Sequence, residues 1–197
     1  QRSLVGSEMC IRDRTSLQHC GVPPENVRAG LESIRSVPGR IEMLPTNTPY
    51  RVILDYAHAP DALSNILRTC RTFTKKRLIA LFGCGGDRDK GKRPIMGRIG
   101  GELADLCILT SDNPRTEDPM EILHEIEEGI KETTGEYVVI ENRRDAIRHA
   151  LEIGREGDII VLCGKGHETY QEIGHEKHHL DCLLYTSPSP RDYAASR

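Results

Sequence analysis

Leu106-Cys107-Ile108-Leu109-Thr110-Ser111-Asp112-Asn113-Pro114-Arg115-Thr116-Glu117-Asp118-Pro119 is the stretch whose reading decides the fold. Four apolar residues, Leu106 to Leu109, predict a short buried strand. Asp118 and Glu121 form a capping-box pattern, and Ile122, Leu123, Ile126 and Ile130 then recur at helical spacing. The polar loop between them lies at the carboxyl end of the strand, where open α/β sheets bind ligands. Within four residues it offers the Asp112 carboxylate, the Asn113 amide and the Arg115 guanidinium, a set able to hold both an ammonium and a carboxylate. The same residues also suit an ordinary Asx-Pro turn, and spacing alone leaves both readings open.

The strand–loop–helix unit repeats on either side. Tyr50 to Leu54 alternates and ends at Asp55-Tyr56-Ala57-His58-Ala59-Pro60, followed by a helix with Leu63, Ile66, Leu67 and Cys70 on one face. Leu78 to Phe82 is a buried strand that enters Gly83-Cys84-Gly85-Gly86, and a helix from about Pro94 to Leu103 carries Ile95, Met96, Ile99 and Leu103. Tyr137 to Ile140 is a further strand, with a helix through Ala146, Ile147, Ala150, Leu151 and Ile153 after it. Asp158 to Cys163 is the last strand and leads into Gly164-Lys165-Gly166-His167-Glu168. Continuous apolar strands alternating with helices predict an α/β, Rossmann-like fold with a mostly parallel sheet covered by helices on both faces. Ile41 to Leu44 and Tyr50 to Leu54, joined through Pro45-Thr46-Asn47-Thr48-Pro49, predict an N-terminal antiparallel hairpin. The loops after Asp55, Phe82, Leu109 and Cys163 should then share one edge of the sheet.

Composition narrows the partners. A net charge of -3 over 197 residues implies no polyanion, and 4% aromatic residues without Trp argue against a stacking platform for nucleic acid. No apolar run is long enough to cross a membrane. The seven cysteines have no metal-ligand spacing; Cys70, Cys84, Cys107 and Cys163 lie in or beside apolar runs and read as small core residues of a reducing compartment.

Both ends look foreign to the body. One DNA segment, read on opposite strands, can encode Cys182-Leu183-Leu184-Tyr185-Thr186-Ser187 and the Met9-Cys10-Ile11-Arg12 stretch. Residues 1–14 and 182–197 therefore read as translated library adapter. Residues 15–37 read as the tail of a missing domain, with Pro23-Pro24-Glu25 opening a short helix through Val27, Leu31 and Ile34. Val37-Pro38-Gly39-Arg40 marks the boundary, and residues 38–181 form the domain proper.

Two loops are rich in glycine and cations. Gly86 to Lys92 fits G-x-x-x-x-G-K, but Arg93 stands where a P-loop needs Ser or Thr. Arg88, Lys90, Lys92 and Arg93 would suit a carboxylate or phosphate, or simply form a solvated charged loop. Gly164 to Glu168 also lacks a full phosphate motif; Glu168 is either a partner for a ligand ammonium or a first-turn helix residue favoured by the dipole. His58 and His167 are each open as ligand, general base or plain loop histidine. No G-x-G-x-x-G follows the first strand, which argues against a dinucleotide oxidoreductase.

Gly39 to Glu42, Asp55 to Pro60, Gly83 to Pro94, Asp112 to Arg115 and Gly164 to Glu168, in that order, resemble the C-terminal domain of the Mur ligase family over about residues 15–181. Within the family the resemblance is to the branch that adds meso-diaminopimelate. It implies a fragment of a monomeric, ATP- and Mg2+-dependent, cytoplasmic bacterial ligase acting on a UDP-N-acetylmuramoyl-dipeptide and meso-diaminopimelate in peptidoglycan synthesis. ATP would phosphorylate the D-glutamate γ-carboxylate, and the incoming amine would attack the acyl phosphate. Residues 15–37 would be the end of the central ATP-binding domain, which would hold most of the metal ligands, so no metal ligand is expected in this fragment and the catalytic groups stay unassigned.

Carried over by position, Arg88, Asp112, Asn113, Pro114, Arg115, Gly164 and Glu168 would form the diaminopimelate site, and Arg40, Asp55 and His58 would contact ATP. Ala59 departs from the Thr frequent in the family. The resemblance makes Arg115 the selective residue: lysine lacks the distal carboxylate and would leave this guanidinium unpaired, at a cost of about 2–5 kcal/mol. A lysine-adding ligase and a folylpolyglutamate synthetase-like ligase are the alternatives. The isolated fragment should be a binding module without ligase activity.

Overall fold

The computed structural model describes residues 16–17, 19–33 and 37–182. The adapter-like stretches therefore lie almost wholly outside the described residues. The chain separates into two compact units, residues 1–37 and 38–197. In the first, helix α1 (Pro24–Ser33) begins on a proline, whose fixed φ and missing N–H suit the first helical turn.

The second unit is built on a six-stranded sheet. Its elements are β1 (Glu42–Leu44), β2 (Arg51–Asp55), α2 (Pro60–Arg71), β3 (Leu78–Phe82), α3 (Lys92–Leu103), β4 (Leu106–Leu109), α4 (Pro119–Ile130), β5 (Glu136–Val139), α5 (Arg143–Ile153) and β6 (Ile159–Cys163). Strand order is β1-β2-β6-β3-β4-β5. β1 pairs antiparallel with β2, as the hairpin pattern predicts, and the other four pairings are parallel. A separate hairpin, β7 (Tyr170–Ile173) and β8 (Glu176–His179), follows. The sequence gives it no alternation: Glu176 to His179 is exposed throughout.

Burial explains the continuous apolar runs. Along β6, Ile159, Val161 and Cys163 belong to one core layer, while Ile160 and Leu162 belong to the other. The first layer packs under α2, α3 and α4 through Leu63, Leu67, Met96, Ile122 and Ile126. The second packs under α5 through Ala146, Ile147 and Ala150. A strand with helices on both faces has no polar side, so alternation disappears. Cys182, placed in the foreign tail by the sequence, is buried with Leu180 in the second layer.

Helix α3 starts two residues before the expected Pro94. Its seam with α4 runs through glycine: Ile95 is exposed, while Gly97 is buried against α4 and Gly100 against Phe82 and Cys107 of the sheet. A Cβ at Gly97 would lie 2.0 Å from the Ile126 carbonyl oxygen, and one at Gly129 would lie 1.7 Å from that of Pro94.

Candidate functional site

Parallel strands bring the four polar loops to one edge. Tyr56, His58, Gly85, Arg88, Asp89, Lys92, Asp112, Asn113, Arg115, Gly164 and Glu168 line a cavity of about 350 Å³ there. The insertion of β6 between β2 and β3 accounts for the convergence: the loop after β6 comes to lie among loops far from it in sequence. Of the proposed diaminopimelate residues, Arg88, Asp112, Asn113, Arg115, Gly164 and Glu168 line this cavity. Pro114 is buried beneath it, with its carbonyl oxygen 1.9 Å from where a Gly86 Cβ would stand. Only glycine lets the two loops approach this closely.

The glycine-rich loop is laced to the loop after β4. Gly86 N–H donates to the Asn113 carbonyl at 2.9 Å, Asp87 N–H to Glu117 Oε1 at 2.6 Å, and Thr116 Oγ1 to Asp87 Oδ1 at 2.7 Å. The cationic reading of this loop needs correction. Arg93 is fully buried, with Nη2 at 2.9 Å from Glu117 and Nη1 at 2.9 Å from Glu125, and Lys90 Nζ lies 3.1 Å from Glu117. These two cations are neutralised by acids of the neighbouring loop and of α4. Arg88 and Lys92 are the loop's cations on the cavity. Lys92 Nζ donates to the His58 carbonyl at 2.9 Å, and Arg88 makes no ion pair or hydrogen bond among the described residues.

Arg115 sits at φ 51°, a left-handed conformation unusual for a residue with a side chain. The β7–β8 hairpin holds it there. Arg115 N–H donates to the Glu172 carbonyl at 3.1 Å, and Gly174 N–H donates to the Arg115 carbonyl at 2.7 Å. The guanidinium donates through Nε to Glu172 Oε2 at 3.0 Å and through Nη1 to the Gly86 carbonyl at 2.8 Å. The expectation that Arg115 stays unpaired without a ligand carboxylate therefore fails: Glu172 already neutralises it.

Glu168 is in a turn and opens no helix, which removes the dipole reading. Its Oε1 accepts from the Tyr56 hydroxyl at 3.2 Å, and Asn113 Nδ2 donates to its Oε2 at 3.4 Å. Burial, and then the Glu168 carboxylate, push the Tyr56 hydroxyl above the ordinary phenol range, so it stays a donor. Gly164, at φ +105°, is backbone that other residues rarely adopt, and its Cβ would stand 3.1 Å from Asp112 Oδ2.

At the rim, the Arg40 guanidinium lies 4.7 Å from the Tyr56 ring centroid, and the His58 ring packs against the same tyrosine at 4.7 Å. Asp55 accepts from Ile41 N–H at 2.9 Å and from Ala57 N–H at 2.8 Å, so it fixes the β1–β2 hairpin to the start of the loop. His58 Nδ1 lies 2.8 Å from the Tyr56 carbonyl, which leaves Nε2 as the ring nitrogen free for a ligand. His167 is exposed beside Tyr56 at 5.6 Å and does not line the cavity.

Sequence reasoning missed Tyr56, Lys165 and Glu172 as site residues. Lys165 carried a signal: a lysine between two glycines directly after a fully buried strand. Glu172 carried none, because its place depends on a hairpin without sequence pattern. Among the described residues there is no group of acidic, His or Cys side chains that could hold a metal ion, and no helix is long and apolar enough to cross a membrane.

Fold and cavity thus define an α/β domain with a charged site of both signs at the carboxyl edge of a mostly parallel sheet. Residues 39–166 match the family described as "Mur ligase, glutamate ligase domain", and the chain belongs to the Mur ligase family. It is 54% identical over 163 residues to the UDP-N-acetylmuramoyl-L-alanyl-D-glutamate–2,6-diaminopimelate ligase of Clostridium botulinum (strain ATCC 19397 / Type A), covering 82% of this chain and 33% of that protein. The enzyme of the same name from Clostridium tetani (strain Massachusetts / E88) is 52% identical over 163 residues, again 82% of this chain and 33% of the relative. A solved structure of a ligase of that name superposes with a TM-score of 0.72 at 36% identity, covering 95% of this chain and 37% of that one. The chain thus spans about a third of the length of the curated relatives it matches.

Proposed function

We propose that this chain is the amino-acid-binding domain of an ATP-dependent ligase that adds meso-diaminopimelate to the D-glutamate of UDP-N-acetylmuramoyl-L-alanyl-D-glutamate. The observation that carries the reading is the cavity itself. It sets Arg88, Asn113 Nδ2 and Arg115 against Asp112 and Glu168, donors for carboxylates facing acceptors for an ammonium. The names carried by relatives at 54% and 52% identity support the same substrate.

Arg40, Asp55 and His58 would hold ATP. They fit it in kind: the Arg40 guanidinium suits a phosphate, Asp55 keeps lone pairs for a ribose hydroxyl, and His58 keeps Nε2. Bound ATP and Mg2+ would supply the activation of the glutamate carboxylate. This domain's own part is to hold the incoming amino acid with its reacting amine toward that carboxylate and to neutralise the charges that do not react. In this proposal the full-length enzyme works in the bacterial cytoplasm as a monomer, and the isolated domain binds without ligating.

Because Glu172 already balances Arg115, discrimination against lysine falls on Arg115 and Arg88 together. Amino-acid-dependent ADP release by the full-length enzyme carrying this segment tests the proposal. Diaminopimelate should be used and L-lysine rejected, and Arg115→Ala should raise the diaminopimelate KM roughly 30-fold or more, the scale of one broken charged contact. Equal use of lysine, or an Arg115→Ala enzyme with unchanged KM, would remove the assignment.

A further inference from the structure

Lys165 is fully buried, yet its ammonium is shared among residues that face the cavity. Nζ donates to Asn113 Oδ1 in a short hydrogen bond, to the Tyr170 carbonyl at 2.9 Å and to Glu168 Oε2 at 3.3 Å. Asp112 Oδ1 lies 3.2 Å from it. An ammonium has three N–H groups, and these three acceptors use them. Asp112 Oδ1 is consequently held by charge alone: it is buried without a hydrogen-bond partner among the described residues.

The consequence reaches the ligand face. Asn113 Oδ1 is saturated from inside, by Lys165 and by Glu172 N–H at 2.8 Å. The amide can therefore turn only its Nδ2 side toward Glu168 and the cavity. The two carboxylates are drawn to one buried cation, and each keeps an oxygen away from it: Asp112 Oδ2 beside Gly164, and Glu168 Oε1 at the Tyr56 hydroxyl. One side chain thus touches three lining residues and, with the Glu172 N–H, sets their orientation.

We propose that Lys165 is a positioning residue for the amino-acid substrate: from behind the cavity wall it turns the Asn113 amide donor-outward toward a substrate carboxylate and holds Asp112 and Glu168 as a pair of acceptors for one substrate ammonium. This rests on the cavity being the amino-acid site. Without the buried cation, Asp112 and Glu168 repel each other and Asn113 Oδ1 keeps only the Glu172 N–H, so binding of the amino acid weakens, while Arg40, Asp55 and His58, none of which bonds to Lys165, keep their contacts.

The test is steady-state kinetics of the full-length enzyme carrying Lys165→Ala, with diaminopimelate and L-lysine each varied. The KM for the amino acid should rise about tenfold or more, with the ATP KM within about twofold of wild type. Added n-propylammonium, which replaces the lost cation in the vacated space, should recover a large part of that loss. Where Lys165→Ala does not fold, Lys165→Met keeps the stem and is read for the same KM split. An unchanged amino-acid KM overturns the proposal. So does an equal rise in both KM values, or a loss that n-propylammonium does not touch, because each marks a purely structural lysine. A wild type that prefers lysine overturns the substrate assignment instead, and Lys165 is then judged on the lysine KM.

Discussion

Arg93 stands where a P-loop would place a hydroxyl, and the structure gives it a different task. It is buried against two carboxylates, and its hydrogen bonds, chief among the causes, hold Glu117 down at about 2. The Asp87 N–H and Lys90 add to the same effect. Glu117 in turn ties the glycine-rich loop to the loop after β4. A carboxylate depressed in the folded state stabilises it above the carboxylate's ordinary range, and that stability is lost as pH falls toward the depressed value. Urea midpoints should therefore drop between about pH 4.5 and 2, and drop less for Glu117→Gln; identical pH slopes would show that Glu117 is not linked to folding. Arg93→Ala leaves two acids beside an empty buried site and should cost about 2–3 kcal/mol at neutral pH, below the range for wholly buried pairs because Glu117 and Glu125 stay partly solvated. The sequence showed Arg93 as one cation among four; which cations are paired was decided by where the loop after β4 and α4 bring Glu117 and Glu125.

Helices α3 and α4 show what residue type alone conceals about packing. Their apolar residues predicted a stripe containing Ile95, but the axes approach through Gly97 and Gly129, and Ile95 turns to solvent. Alanine at Gly129 favours an isolated helix by about 1 kcal/mol. Against this stands a methyl 1.7 Å from the Pro94 carbonyl, which only separation of the helices can relieve. Overpacking of this kind costs about 1–3 kcal/mol and should win, so Gly129→Ala should lower the urea midpoint. A midpoint equal to or above wild type would mean the helices part freely. The β7–β8 hairpin is the opposite case. Nothing in Tyr170 to His179 marks it as paired strands, yet its main chain holds Arg115 in its left-handed conformation and its Glu172 balances the guanidinium.

At the scale of the molecule, the cysteines report the double-sided core. Cys70, Cys84, Cys107 and Cys163 are free and buried, the core placement expected from their apolar neighbours. Burial pushes the Cys70, Cys84 and Cys107 thiols up to about 12, and Cys163 higher than its usual range as well. In native protein at pH 8 these four should resist a disulfide reagent such as DTNB, reacting only on unfolding, while exposed Cys20 reacts at once. Mass mapping that finds Cys84 or Cys163 labelled in the native state would show that the core opens. The sequence by itself determined the alternation of strands and helices, the parallel sheet, the N-terminal hairpin and the four loops at one edge, because hydrophobic period and caps are local properties. The resemblance to the Mur ligase family singled out Arg88, Asp112, Asn113, Arg115, Gly164 and Glu168, which the fold gathers around one cavity. Tertiary structure alone decided that β6 enters between β2 and β3, that Glu172 and Lys165 neutralise the charges behind the wall, and that Arg88 stays without an ion pair or hydrogen bond among the described residues. Strand order and charge pairing depend on contacts between residues far apart in the chain, and no local pattern encodes which of several compatible partners will meet.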